Sequence, residues 1–273
     1  MKVMLHATYI GGPTALLEVA GLRLLTDPTF DAAGAAYPTA VYTLRKTSDP
    51  AVAVEALGAV DAVLLSHDHH FDNLDRAGRE LLSRVDRVLT TAVGAERLGG
   101  NALGLVPWQH AQLDAFDGSG LRVTATPARH GPPDADRGPV IGFLLSEGSA
   151  APTRSTPAIY ISGDTVWYDG LRAIAERADV EVAVLFVGAA RVREVLPAHL
   201  TFTAVEAVTM ARTLPHAVIV PLHYEGWAHF SEGRAEIQRA FDETGLADRL
   251  CWLKPGQRTA IGPDASLRRE NQK

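Results

Sequence analysis

The stretch SHDHHFDNLD, residues 66–75, places three histidines and two aspartates within positions 67–72. It follows the apolar run Ala62-Val63-Leu64-Leu65, so the change in chemistry begins where a buried strand would end. Within a strand, successive side chains alternate between faces and cannot aim together. On a turn just beyond a strand, His67 and His69 can address one ion. Imidazole nitrogens and carboxylates are the usual ligands of Zn2+, and mixed N/O sets also suit Fe and Mn. The plain alternative is a polar turn that happens to be rich in histidine, so the rest of the chain has to decide.

Working outward, the same arrangement recurs. Asp72 lies in the turn itself, His130 in TPARHGP, Asp164 in ISGDT and His223 in PLHYEGW, each after the C-terminal end of a strand-like run. Ligands at several strand ends converge on one rim of a sheet. A single histidine after a strand is usually a hydrogen-bonded structural residue. The His-x-His turn with three further strand-end ligands argues for a metal site instead.

Short apolar runs at 3–7, 15–20 and 22–26 read as a β-meander with glycine turns. Residues 27–50 form a long connection with little periodicity, of the kind that serves as a lid. Asp49-Pro50 begins a helical run to Leu57, and a second helix is expected over 73–85. Further strands are expected at 61–65, 87–91, 121–126, 140–146, 158–162, 182–187, 218–222, 250–253 and 259–261. Thr203-Ala-Val-Glu206 reads as a capping box that opens a helix ending near Pro215, and 232–244 as a last amphipathic helix. Strands come first and helices follow without regular alternation, which favours an α+β layered fold over a doubly wound sheet. The chain reads as one domain, 1–273, with a frayed tail at 266–273.

Bulk properties narrow the function. The 273 residues are 47% hydrophobic and carry a formal net charge of −6 with no basic block, which argues against nucleic acid as a partner. No apolar run approaches the roughly 18 residues of a membrane span, and the N-terminus does not read as a signal peptide, so a cytoplasmic protein acting on a small molecule is expected. The single cysteine, Cys251, excludes an internal disulfide and a zinc ribbon, and reads as a core residue. Oligomeric state is not legible.

The segments LLTDPTF, LLSHDHHFDNLD, TPARHG, YISGDT, HLTFTAVEA and VPLHYEGW run in order from residue 24 to 227. This ordered set resembles the metallo-β-lactamase-fold hydrolases, most closely the ascorbate-6-phosphate lactonase-like and N-acyl-phosphatidylethanolamine phospholipase D-like branch. The resemblance implies a four-layer αββα sandwich and a metal-dependent hydrolase. It would use a metal-bound hydroxide on an ester, lactone, amide or phosphodiester bond, with one or two divalent ions, Zn2+ first and Mn2+ or Fe2+ also suitable. It further implies His67, His69 and His130 as first-site ligands, with Asp164 bridging to a second site of Asp72 and His223. The family's motif is His-x-His-x-Asp-His. With one residue inserted, Asp72 takes the acid's place and Asn73 the last histidine's, so His70 is expected to swing into the second site. Asp72 and His199 are the expected catalytic residues, and Asp27 an outer partner that fixes a ligand histidine's tautomer. Arg129 reads as a surface residue that could face an anionic substrate; Trp167, Tyr168, Phe202 and Trp227 could line an apolar pocket. His6, His110, His216 and His229 are assigned structural roles. The rival reading is a non-catalytic ligand- or partner-binding protein that keeps the fold, and Asn73 is its best support.

Overall fold

The computed structural model describes residues 4–192 and 198–262; the expected fray at 266–273 lies outside them. The first half of the chain holds β1 (Leu5–Gly11), β2 (Thr14–Val19), β3 (Leu22–Thr26), β4 (Ala36–Pro38), β5 (Thr43–Arg45) and β6 (Ala62–Leu64). Next come α1 (Arg76–Leu81), β7 (Val88–Thr91), α2 (Ala92–Leu98), β8 (Ala102–Leu105) and β9 (His110–Asp114). The second half holds β10 (Gly120–Pro127), β11 (Ile141–Glu147), β12 (Pro157–Ile161), α3 (Arg172–Ala175) and β13 (Asp179–Phe186). It ends with α4 (Ala204–Thr213), β14 (Val218–Leu222), α5 (Arg234–Glu243) and β15 (Arg258–Ile261).

Two sheets pack face to face, in the orders β15-β1-β2-β3-β6-β7-β8 and β14-β13-β12-β11-β10-β9. Each is antiparallel in one half and parallel in the other: β3, β6, β7 and β8 run parallel in the first sheet, and β12, β13 and β14 in the second. The sequence shows why. β1 alternates buried and half-buried residues, as a strand with one dry face does, whereas β6 and the end of β13 are apolar throughout because both faces are covered. Leu17, Leu24, Val123, Phe143, Ile159 and Val184 fill the space between the sheets. Outside the second sheet, α4 and α5 bury Val208, Met210, Ile237 and Phe241 with Tyr160 and Leu185. Outside the first, Leu74, Leu81 and Val85 cover Val63 and Leu65. The expected α+β, four-layer αββα sandwich is the fold observed.

Several elements differ from expectation. The run after Asp49 forms only a 3-10 turn at Val54–Ala56, because Ala51 donates its amide to Ile10 O instead of entering a helix. Asp75, not Asn73, caps α1 by accepting from Gly78 N, and the helix is one and a half turns long before a 3-10 turn at Leu82–Arg84. The long connection at 27–50 contains the β4–β5 hairpin. Residues 251–253 form no strand; Cys251 is half-buried and packs against the core between the sheets. No helix among the described residues is long and apolar enough to cross a membrane.

Candidate metal centre

Parallel strands point their C-terminal ends the same way, and those ends carry the polar side chains. β3 delivers Asp27, β6 delivers Ser66 and the histidine turn, β12 delivers Asp164 and β14 delivers His223. His130 comes from the loop after β10. The two sheets are stitched at this edge by Ile141 N donating to Ser66 O at 3.1 Å. The backbone is strained there: Asp27 and His223 hold φ of 25° and 57°, a region that non-glycine residues avoid. Gly163 precedes Asp164 because a Cβ at its φ of 59° would stand 2.8 Å from the Ser66 Cβ.

The turn after β6 winds tightly, with Asn73 N and Leu74 N both donating to His70 O. As a result His70 folds inward. Its Nδ1 lies 3.0 Å from His67 Nε2 and 3.0 Å from His130 Nε2. Leu200 O can only accept, so the 2.9 Å contact with His130 Nδ1 places the proton there and leaves Nε2 with its lone pair. Ser66 Oγ sits 2.9 Å from His67 Nδ1 and holds that ring's orientation. Asp164 Oδ2 closes the group, 4.0 Å from His67 Nε2 and 3.8 Å from His130 Nε2.

A second group adjoins the first through Asp164. His223 Nε2 is 3.5 Å from both Asp164 Oδ1 and Asp72 Oδ2, and His229 Nε2 is 3.0 Å from Asp72 Oδ2. The electrostatics of the two groups are opposite. Burial lowers the pKa of His67 and His70, and the neighbouring imidazoles lower both further. Burial also opposes charge on His223, but Asp164 and Asp72 outweigh it and push its pKa up to about 9. Burial would raise Asp72, yet His229 and His223 hold it well below the usual carboxylate range.

Both oxygens of Asp164 and both ring nitrogens of His223 are buried without a hydrogen bond. Unpaired buried carboxylate oxygens are costly unless a cation faces them. His67, His130 and Asp164 form one set with donor atoms within 4.8 Å of one another, and Asp72, Asp164 and His223 form another. Buried imidazoles beside a shared carboxylate fit a divalent transition metal in each set.

The sequence-derived residues are placed as follows. His70 joins His67 and His130 rather than the second group. His69 stands at the margin: it falls within 4.8 Å of His67 and His70, but its Nε2 donates to Arg137 O at 2.9 Å and its ring is partly exposed. Asp27 bonds no ligand histidine; its Oδ1 accepts from Ser66 N at 2.6 Å and so fixes the turn's backbone. His199 Nε2 lies 3.0 Å from Glu206 and does not line the cleft above the centre. That cleft, about 100 Å3, is walled by Tyr37, Tyr42, Leu44, Phe71, Val192 and Leu200. Trp167, Tyr168, Phe202 and Trp227 do not line it: Phe202 is in the outer core, Trp227 packs beneath Tyr37, and Tyr168 carries the Arg129 guanidinium on its ring. Sequence reading missed Tyr37, Tyr42 and His229. The only signal for His229 was its position six residues after His223 in HYEGWAH.

A family profile described as a beta-lactamase superfamily domain matches residues 22–224. The chain is 25% identical over 263 residues to the UPF0173 protein YddR of Bacillus subtilis (strain 168), covering 93% of this chain and 98% of that protein. It is 26% identical over 260 residues to a UPF0173 metal-dependent hydrolase of Pyrobaculum neutrophilum, covering 91% and 96%. A crystal structure of isothiocyanate hydrolase from Delia radicum gut bacteria superposes with a TM-score of 0.75 at 26% identity, over 94% of this chain and 99% of that one. With the αββα fold, the His/Asp centre and the profile in agreement, the chain belongs to the beta-lactamase superfamily, as one of its metal-dependent hydrolases.

Proposed function

We propose that this hydrolase acts on a small, largely uncharged substrate at an electrophilic carbon, a lactone, ester or isothiocyanate, rather than on a phosphodiester. The observation that carries this reading is the cleft. Aromatic and aliphatic side chains wall it directly over His70, Asp72 and His130, and Arg137 is the only lysine or arginine among its described lining residues. Anionic phosphodiester oxygens favour arginine and lysine partners, and apolar side chains dominate the wall around this single arginine. The similar protein that hydrolyses isothiocyanates supports a carbon electrophile, while the ordered motifs of residues 24–227 resemble a branch with lactonase-like and phospholipase D-like members alike.

In this reading His67 Nε2, His70 Nδ1 and His130 Nε2 would hold a divalent cation, zinc by the chemistry of the donors. Asp72, Asp164 and His223 stand beside it. When bound, such a cation lowers the pKa of water to about 7 and polarises the scissile group. Asp72 stays ionised at neutral pH and accepts a hydrogen bond from the attacking water, orienting it. Leu44, Val192 and Leu200 hold the apolar part of the substrate and exclude bulk water. His199 is assigned a positioning role: gripped by Glu206, it sets Leu200, whose carbonyl fixes the His130 tautomer.

The test is metal analysis of the full-length protein with a chromogenic panel of lactone, ester, isothiocyanate and phosphodiester. Bound metal, turnover of the carbon electrophiles and loss of that turnover in His67→Ala are expected. Preferential phosphodiester turnover overturns the substrate class. Absence of both metal and turnover means that the chain is a non-catalytic binder.

A further inference from the structure

We propose that His229 supplies the imidazole that Asn73 does not, completing a second cation site with Asp72, Asp164 and His223. The inference rests on the metal-centre reading above but goes beyond it, because no motif of the sequence assigns His229 to the site. Asn73 stands where the resembled motif has its last histidine. It is fully buried, and both its side-chain atoms lack a hydrogen-bond partner among the described residues. An amide there binds a transition metal more weakly than an imidazole would.

His229 approaches the same place from the other sheet's side. Its Nε2 is 3.0 Å from Asp72 Oδ2, the oxygen that His223 Nε2 reaches at 3.5 Å, and His223 in turn is 3.5 Å from Asp164 Oδ1. Two ligands at 2.0–2.1 Å from a tetrahedral ion sit about 3.3–3.4 Å apart. These three spacings bracket that value: Asp72, Asp164 and His223 already have donor atoms within 4.8 Å of one another, and His229 joins them through Asp72 Oδ2, so a turn of its ring toward the group would give two nitrogens and two oxygens around one ion.

The loop bearing His229 is built to hold it. Ala228 N donates to Arg45 O at 3.0 Å, Arg191 N to His229 O at 2.9 Å, and Ser231 N to Gly188 O at 3.0 Å. Both flanks of the histidine are therefore tied to neighbouring segments. The Phe230 ring packs against both imidazoles, with centroids 4.8 Å from His223 and 4.6 Å from His229. This is more restraint than a residue serving only as filler needs, and it keeps the imidazole facing Asp72.

The experiment is zinc and cobalt titration of the full-length protein, read by bound-metal stoichiometry and by the cobalt absorption spectrum, with thermal melts to check folding. The wild type is expected to bind two equivalents. His229→Ala should keep the first and weaken the second by at least about 100-fold, while Asn73→Ala keeps both. His229→Gln, whose amide is long enough to keep a hydrogen bond to Asp72 but is a poor transition-metal ligand, should lose the second equivalent as His229→Ala does, which a residue that only hydrogen-bonds Asp72 would not show. A single equivalent in the wild type, two unweakened equivalents in His229→Ala, or a glutamine variant that keeps the second equivalent each overturns the assignment. A wild type that binds one equivalent and loses it in His67→Ala would sink this inference while leaving the hydrolase reading standing. A wild type that binds none sinks both.

Discussion

His69 and His70 are adjacent in sequence, and only the turn's winding separates their roles. A strand-end turn with its pattern of histidines is visible in the sequence, and so are His130, Asp164 and His223, because each follows an apolar run. Which of two neighbouring imidazoles turns inward is not visible, since it depends on Asn73 N and Leu74 N closing back onto His70 O. The geometry makes a distinct expectation for each. His70→Ala removes the atom lying 3.0 Å from both His67 and His130 and should reduce first-site metal affinity and turnover by more than about 100-fold. His69→Ala removes a bond to Arg137 O at the cleft margin and should cost about tenfold or less, in the lower part of the range for outer contacts. Bound-metal analysis of the two variants side by side checks this; equal losses would return His69 to the ligand set. His229 was invisible for a related reason. It lies on a loop without periodicity, and only the folding of that loop against β5 and the end of β13 brings it to Asp72.

At the scale of the element, α4 shows what local sequence can specify. Thr203 and Glu206 form the capping box that their spacing announces: Thr203 Oγ1 accepts from Glu206 N at 3.1 Å, and Glu206 accepts from Thr203 N at 2.9 Å. The carboxylate does more than cap. It also accepts from Trp167 N at 3.2 Å, three residues beyond Asp164, and faces His199. Thr203→Ala should cost about 1 kcal/mol in urea denaturation. Burial would raise the Glu206 pKa, but His199 and the Thr203 amide outweigh it and hold it below its ordinary value. A depressed carboxylate pKa stabilises the fold above the unfolded-state value, and the benefit fades as pH falls through the folded value. The stability gap between wild type and Glu206→Gln should therefore be full at neutral pH and shrink below about pH 4. A gap unchanged between pH 7 and pH 3.5 would remove the ionised cap from the account. Where local signals conflict, the element is not legible. The run after Asp49 looks helical in composition, yet its amide at Ala51 is spent on β1; β8 and β9 have too many half-exposed residues to stand out as strands.

For the whole molecule, the consequence of the topology is that the metal centre belongs to neither sheet alone. His67, His70 and Asp72 follow β6 of the first sheet, while His130, Asp164 and His223 follow β10, β12 and β14 of the second. The layered class was legible from strand order and from the ordered motifs, but the pairing of a parallel half with an antiparallel half in each sheet was not, because strand partners lie far apart in sequence. This arrangement ties the ligand geometry to the packing between the sheets rather than to the packing outside them. Phe143 on β11 is fully buried in the central layer, and Phe241 on α5 is fully buried in an outer one. Truncating either to alanine should cost about 3–5 kcal/mol, seen as a lower urea midpoint. The two should part company in metal affinity. Phe143→Ala lets the sheets settle toward the cavity and shifts one half of the ligand set relative to the other, so zinc binding of the still-folded protein should weaken by tenfold or more, about 1.4 kcal/mol. Phe241→Ala loosens a helix on the far face of the second sheet and should leave zinc affinity within about twofold, 0.4 kcal/mol. Competitive zinc titration of both variants well below their unfolding midpoints decides the matter: equal losses of affinity would mean that the ligand set is held by its loops alone, and that the packing between the sheets does not set its geometry.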